Sequence, residues 1–142
     1  PRQFPLCGNC RGELLGTPPC VAACPTGAAL GNGYINLEKC IQWYASGHGA
    51  QEIPEPVLEV WGNRLYGCTS CQDACIHNTY PIQGVQTEEG ALPEFVDVRG
   101  LLKLSDAEIK AMFKGTALGS WLGPNAIRRN AEAVLKSASC SI

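Results

Sequence analysis

The chain has no long apolar run, no excess of positive charge, 2 histidines and a single methionine. No stretch approaches the roughly 20 consecutive apolar residues of a helical membrane span, so no membrane partner is expected. The formal net charge of −2 provides no broad basic field of the kind that marks a nucleic-acid binder. Neither a P-loop nor a G-x-G-x-x-G sequence is present, and no Ser-His-Asp set stands out for nucleophilic catalysis. The opening residues Pro1-Arg2-Gln3-Phe4 carry no signal-peptide core and no initiator methionine. A cytoplasmic chain is expected, trimmed or cut from something longer.

Cysteine is the outlier, with 9 in 142 residues: Cys7, Cys10, Cys20, Cys24, Cys40, Cys68, Cys71, Cys75 and Cys140. An odd count argues against a closed disulfide framework. Without a secretion signal, metal or catalytic chemistry is the better use of so many thiols. All but Cys140 precede Tyr80, and Cys140 reads as an incidental terminal thiol. The expected organisation is a cysteine-rich region over 1–80 and a helical extension over 81–142 packed on it.

The spacings narrow the chemistry. The first set reads C-x2-C-x9-C-x3-C-P, and the second is Cys40 followed by Cys68-x2-Cys71-x3-Cys75. Four thiolates hold a [4Fe–4S] cluster, and in two-cluster ferredoxins the last cysteine of C-x2-C-x2-C-x3-C-P serves the other cluster. Crossing the fourth ligands assigns Cys7, Cys10, Cys20 and Cys75 to one cluster, and Cys24, Cys40, Cys68 and Cys71 to the other. The x9 interval, Arg11–Pro19, reads as a loop bulging between two ligands. All-cysteine zinc fits the two C-x2-C pairs but explains less well the C-x3-C spacings and Cys24-Pro25. Disulfides are the third alternative.

Between and after the cysteines the pattern is mostly helical. Pro19–Cys24 offers a helical turn stopped by Pro25. Short apolar runs around Gly31-Asn32-Gly33 predict a tight hairpin of two or three residues per strand. Asn36 is placed to cap a helix over Leu37–Tyr44, with Leu37, Ile41 and Tyr44 on one face. A short helix follows over Pro54–Glu59, with Pro56 in its first turn and Val57, Leu58 and Trp61 buried. Tyr80–Arg99 reads as irregular. Ser105-Asp-Ala-Glu108 is a capping box opening a helix from Asp106 to Lys114, with Ile109, Met112 and Phe113 apolar. A last helix is expected from Pro124 or Asn125 to about Lys136, with Ile127, Ala131, Val134 and Leu135 as its stripe. The fold class is therefore α+β and mostly helical, a dicluster ferredoxin-like core with a short β-hairpin plus extra helices.

Three segments give the sequence a specific likeness: "CPTGAA", "LEKCI" and "GNRLYGCTSCQDAC". Together they resemble the iron–sulfur domain of the epoxyqueuosine reductase family, related to the corrinoid reductive dehalogenases. The tail "MFKGTALGSWLGPNAIRRNAEAVL" is also similar to that family. Ile76 and His77 stand where its pattern has Pro and Trp, and Asn78 matches. The resemblance implies a larger enzyme, in which an N-terminal domain carries cobalamin and the catalytic acid. The clusters would relay electrons to cobalt, and the product would be queuosine in tRNA. The expected partner is then a corrinoid-binding domain or another redox protein, with the cobalamin on a missing or separate domain. Two rivals are a stand-alone ferredoxin-like carrier and a zinc-stabilised binding module.

Other residues carry weaker expectations. His77 reads as a polar residue shaping the cluster surroundings, and His48 as a surface residue. Trp43, Trp61 and Tyr66 read as core aromatics, and Asp73 as facing water. Lys39, Arg11 and Arg64 either offset cluster charge or are simply solvated. Arg128 and Arg129 offer weak support for direct tRNA contact, given the negative net charge.

Overall fold

The computed structural model describes residues 16–47, 52–78 and 95–139. Cys7, Cys10, Arg11, His48, Cys140 and the stretch 80–94 lie outside the described residues. The rest is mostly helical, with one two-stranded antiparallel sheet.

Pro19 occupies the first turn of α1 (Pro19–Ala22), where its fixed φ suits a helix start and its missing N–H costs nothing. The chain then turns through Cys24–Gly27 into β1 (Ala29–Gly31) and β2 (Tyr34–Ile35). Ala29 lies opposite Ile35 and Gly31 opposite Tyr34. Asn32 at φ 52 and Gly33 at φ 80 supply the two left-handed residues of a tight hairpin turn.

The expected single helix over Leu37–Tyr44 is two pieces. Asn36 does cap, accepting the Glu38 N–H at 3.0 Å, but what it caps is a 3₁₀ turn, Leu37–Lys39. The chain then extends at Cys40 (φ −80, ψ 118) before α2 (Ile41–Ala45) begins. The break puts Leu37 out of line with Ile41 and Tyr44, so Leu37 is exposed while the other two are buried. α3 (Glu55–Leu58) has Pro56 in its first turn; Val57 and Trp61 are buried and Leu58 is half-buried. α4 (Ser70–Asp73) lies inside the second cysteine set.

Irregular chain was expected as far as Arg99, yet α5 (Val98–Leu101) already includes it, capped by Asp97 accepting the Arg99 N–H at 3.0 Å. The capping box at Ser105 and Glu108 opens α6 (Asp106–Met112), which stops short of Lys114. Met112 faces out, whereas Ile109 and Phe113 are fully buried. α7 (Ala117–Trp121) was not anticipated. It is capped by Thr116 and carries Gly119, where a Cβ would stand 2.0 Å from the Phe113 carbonyl oxygen, so only glycine permits this approach. α8 (Pro124–Ser139) is the longest helix described. Among the described residues no helix is long and apolar enough to cross a membrane.

Two apolar clusters form the core. Trp61 is fully buried in the first, with Ile41, Tyr44 and Val57. Phe113 is fully buried in the second, with Leu101, Ile109 and Leu118. α8 serves both, giving Ala133 to the first and Ile127 and Ala131 to the second. Its buried Asn130 donates to the carbonyls of Ala45 at 2.8 Å and Leu65 at 3.1 Å. Its Ser137 hydroxyl oxygen accepts the Gly62 N–H at 2.9 Å.

Candidate metal centre

Cys24, Cys40, Cys68 and Cys71 line one cavity of about 370 Å³, walled by apolar groups including Ile35, Leu37 and Trp43. Each thiol arrives by a different local device. Cys24 follows α1 and precedes a turn in which Pro25 and the left-handed Gly27 (φ 64) fold the next amides back. Cys40 is the extended residue between two helical pieces. Cys68 follows Gly67 (φ 79), and Cys71 is on α4.

The surroundings of the Cys24 sulfur suit a thiolate. Ala28 and Ala29 donate their N–H groups to Cys24 Sγ at 3.2 and 3.4 Å, and the Thr26 hydroxyl lies 3.6 Å away. Burial pushes the Cys24 thiol up, but the Ala29 N–H, the Thr26 hydroxyl and N–H, and the Ala28 N–H outweigh it, so its pKa falls below the ordinary value. Ser70 Oγ lies 3.6 Å from Cys68 Sγ. The Cys71 thiol is pushed up by burial, then by the charges of Cys68, Cys24 and Cys40. A bound metal group would reverse that effect at Cys71.

Four thiols around one cavity are a donor set that fits an iron–sulfur cluster, as four thiolates can also fit one zinc ion. Thiolates on one zinc, at about 2.3 Å each, would close to about 3.8 Å from one another. A four-iron cluster takes one thiolate at each of four separate corners. The six described cysteines form no disulfide.

For the other set, the described residues include Cys20 and Cys75, while Cys7 and Cys10 lie outside them. Cys20 is on α1, which packs against α4, and Cys75 follows the Ala74 cap of α4. Asn78 secures the chain beyond Cys75, donating to the carbonyl and side-chain oxygens of Gln72 at 2.9 and 3.0 Å. Between them, His77 Nε2 is buried without a hydrogen-bond partner, an orphaned polar atom two residues from a proposed ligand.

Other candidates fall into structural roles. Arg64 donates to the carbonyls of Val60 and Trp61 at 3.3 and 2.7 Å, closing the turn after α3. Arg128 pairs with Asp106 at 2.5 Å and donates to the Leu104 carbonyl. Arg129 donates to the Tyr44 carbonyl, and burial lowers its pKa. Both arginines thus serve the fold. Asp73 is exposed and accepts from the Thr69 hydroxyl at 2.8 Å. Trp43 is half-buried and lines the cavity besides packing on the first core.

The sequence reading missed the supporting groups: the Thr26, Ala28 and Ala29 donors, and Gln42, whose Oε1 accepts the Cys68 N–H at 2.9 Å. The Pro25-Thr26-Gly27 turn was a readable sign of the first three. Nothing local announces Gln42, which acts across 26 residues of chain.

Residues 6–78 match the family described as the 4Fe-4S double cluster binding domain. The chain is 37% identical over 130 residues to the epoxyqueuosine reductase of Staphylococcus aureus, covering 88% of this chain and 30% of that protein. The solved epoxyqueuosine reductase of Bacillus subtilis superposes with a TM-score of 0.60 at 35% identity, over 85% of this chain and 33% of that one. An epoxyqueuosine reductase solved with an epoxyqueuosine-modified tRNA stem loop gives a TM-score of 0.66 at 32% identity, over 90% and 32%. The chain thus spans about a third of the length of these relatives. Because the family match takes in half of the sequence and all eight clustered cysteines, the chain belongs to the 4Fe-4S double cluster binding domain family.

Proposed function

We propose that this chain is the electron-relay region of an epoxyqueuosine reductase-like oxidoreductase. It would hold one [4Fe–4S] cluster on Cys7, Cys10, Cys20 and Cys75, and a second on Cys24, Cys40, Cys68 and Cys71, in a dicluster ferredoxin-like core. In this reading residues 1–80 carry the clusters and 81–142 form the helical extension. The observation that carries the reading is the single cavity lined by Cys24, Cys40, Cys68 and Cys71, together with the family match. A bound cluster supplies one-electron redox chemistry at a potential set by its ligands, hydrogen bonds and exposure.

The chain's own residues supply charge balance and an apolar lining. The N–H groups of Ala28 and Ala29 lie against the Cys24 sulfur, where they stabilise negative charge. Apolar side chains of Ile35, Leu37 and Trp43 line the cavity beside the sulfurs, and their partial exposure bears on the potential. The electron acceptor is a corrinoid centre on another domain or chain, and tRNA is the substrate of the assembled cytoplasmic enzyme.

Anaerobic reconstitution tests the reading: the wild-type chain takes up about eight irons, two clusters of four. Cys24→Ser impairs the cluster assigned to Cys40, Cys68 and Cys71, and Cys75→Ser impairs the other. An oxygen-free preparation that binds zinc but no iron overturns it.

A further inference from the structure

Gln42 stands two residues after Cys40, inside α2. Its Oε1 accepts the backbone N–H of Cys68 at 2.9 Å, and the bond is partly buried. Gln42, Cys40 and Cys68 all line the same cavity. The neighbouring Gly67 is fitted to this contact: its φ is +79, and a Cβ there would stand 3.2 Å from Gln42 Oε1. Glycine is the residue that accepts both the left-handed backbone and the close passage over the amide. A side chain from the Cys40 segment thus fixes the backbone of the Cys68 segment.

We propose that Gln42 is a positioning residue for the cluster held by Cys24, Cys40, Cys68 and Cys71, setting the Cys68 thiolate relative to Cys40. The inference rests on the cluster reading above. It deepens that reading by assigning a residue that touches no iron. Without the amide oxygen, the Cys68 N–H loses a partly buried acceptor and the loop before the thiolate loses its tie to α2. The effect is expected to be local, because Cys20 and Cys75 are assigned to the other cluster.

The test uses the reconstituted chain and two variants, Gln42→Leu, which removes the acceptor, and Gln42→Asn, which leaves it one methylene short. Iron release to a chelator is followed by loss of visible absorbance, and the reduced clusters are recorded by electron paramagnetic resonance. Both variants are expected to lose iron from one cluster about tenfold faster than wild type, the size expected when one partly buried N–H loses its partner. The resonance of that cluster changes and the other is unaltered. Wild-type release rates in Gln42→Asn, or equal acceleration at both clusters, overturns the proposal; if Gln42→Leu does not fold, Gln42→Asn decides alone. Wild-type chain that binds no iron instead overturns the cluster reading.

Discussion

α1, α4 and the 3₁₀ turn before Cys40 bury no residue, although α2, which follows Cys40, buries Ile41, Tyr44 and Ala45. By contrast α8 alone buries Ile127, Asn130, Ala131, Ala133 and Ser137. The front segments are short pieces joined by turns, with half-buried thiols and N–H groups turned toward sulfur. Apolar packing holds the rest: the first core is built mainly by Ile41, Tyr44, Val57 and Trp61 of the front half, and the second by the capped helices of the rear. Burial of side chains is the main favourable term in folding, so segments that bury almost none need another source of order. For those cysteine-bearing segments the proposed source is ligation, which would close chain segments much as a metal site does in other small domains.

The largest effect should come from removing the metal. Stripping iron with a chelator under reducing conditions should lower hydrogen-exchange protection across 16–40 and 66–78 by about a hundredfold or more, while amides of α6 and α8 stay protected. Equal loss in both regions would erase the contrast. The opposite manipulation attacks the packing. Trp61 is fully buried and its Nε1 donates to the Arg64 carbonyl at 2.8 Å. Trp61→Ala should cost about 3–5 kcal/mol by urea unfolding of the loaded protein. A smaller effect belongs to the joint between regions. Asn130→Leu fills the same space but leaves the Ala45 and Leu65 carbonyls, now 2.8 and 3.1 Å from its Nδ2, without a donor. A loss of about 2 kcal/mol is expected, with the unfolding of front and rear separating into two transitions.

The two regions also differed in how far their sequence could be read. In the rear, Ser105 and Glu108 fixed one helix start and Pro124 another, because caps and periodicity act within a single turn. α5 and α7 escaped because each is short and rests on one capping side chain, Asp97 or Thr116, in a glycine-containing stretch. In the front, spacing grouped the cysteines, and Cys24, Cys40, Cys68 and Cys71 line one cavity. The same reading ran a helix straight through Cys40, since propensity takes no account of a cysteine that must turn toward a cavity. Gln42 was invisible for a related reason: its partner is fixed by tertiary structure, and a residue that steadies a ligand from 26 positions away leaves no local pattern.

The smallest expected effect sharpens the contrast from the rear side, where helix ends are self-sufficient. Glu108 Oε2 accepts from the Ser105 hydroxyl at 2.6 Å and from the Ser105 N–H at 2.8 Å. Those bonds, the hydroxyl first, hold the Glu108 carboxyl below the usual carboxylate range. A depressed carboxylate adds stability above its unfolded pKa and loses it as pH falls through the folded value. Ser105→Ala should therefore lower the thermal midpoint of the loaded protein by roughly 2–4 °C near neutrality, the shift of one N-cap in a chain of this size. In acid the gap should narrow as Glu108 takes up its proton in both proteins. It should not close, because the Glu108 N–H still donates to Ser105 Oγ at 3.3 Å in the wild type, and that bond does not titrate. A gap that is constant from neutral to acid pH would show that the carboxylate half of the box contributes nothing.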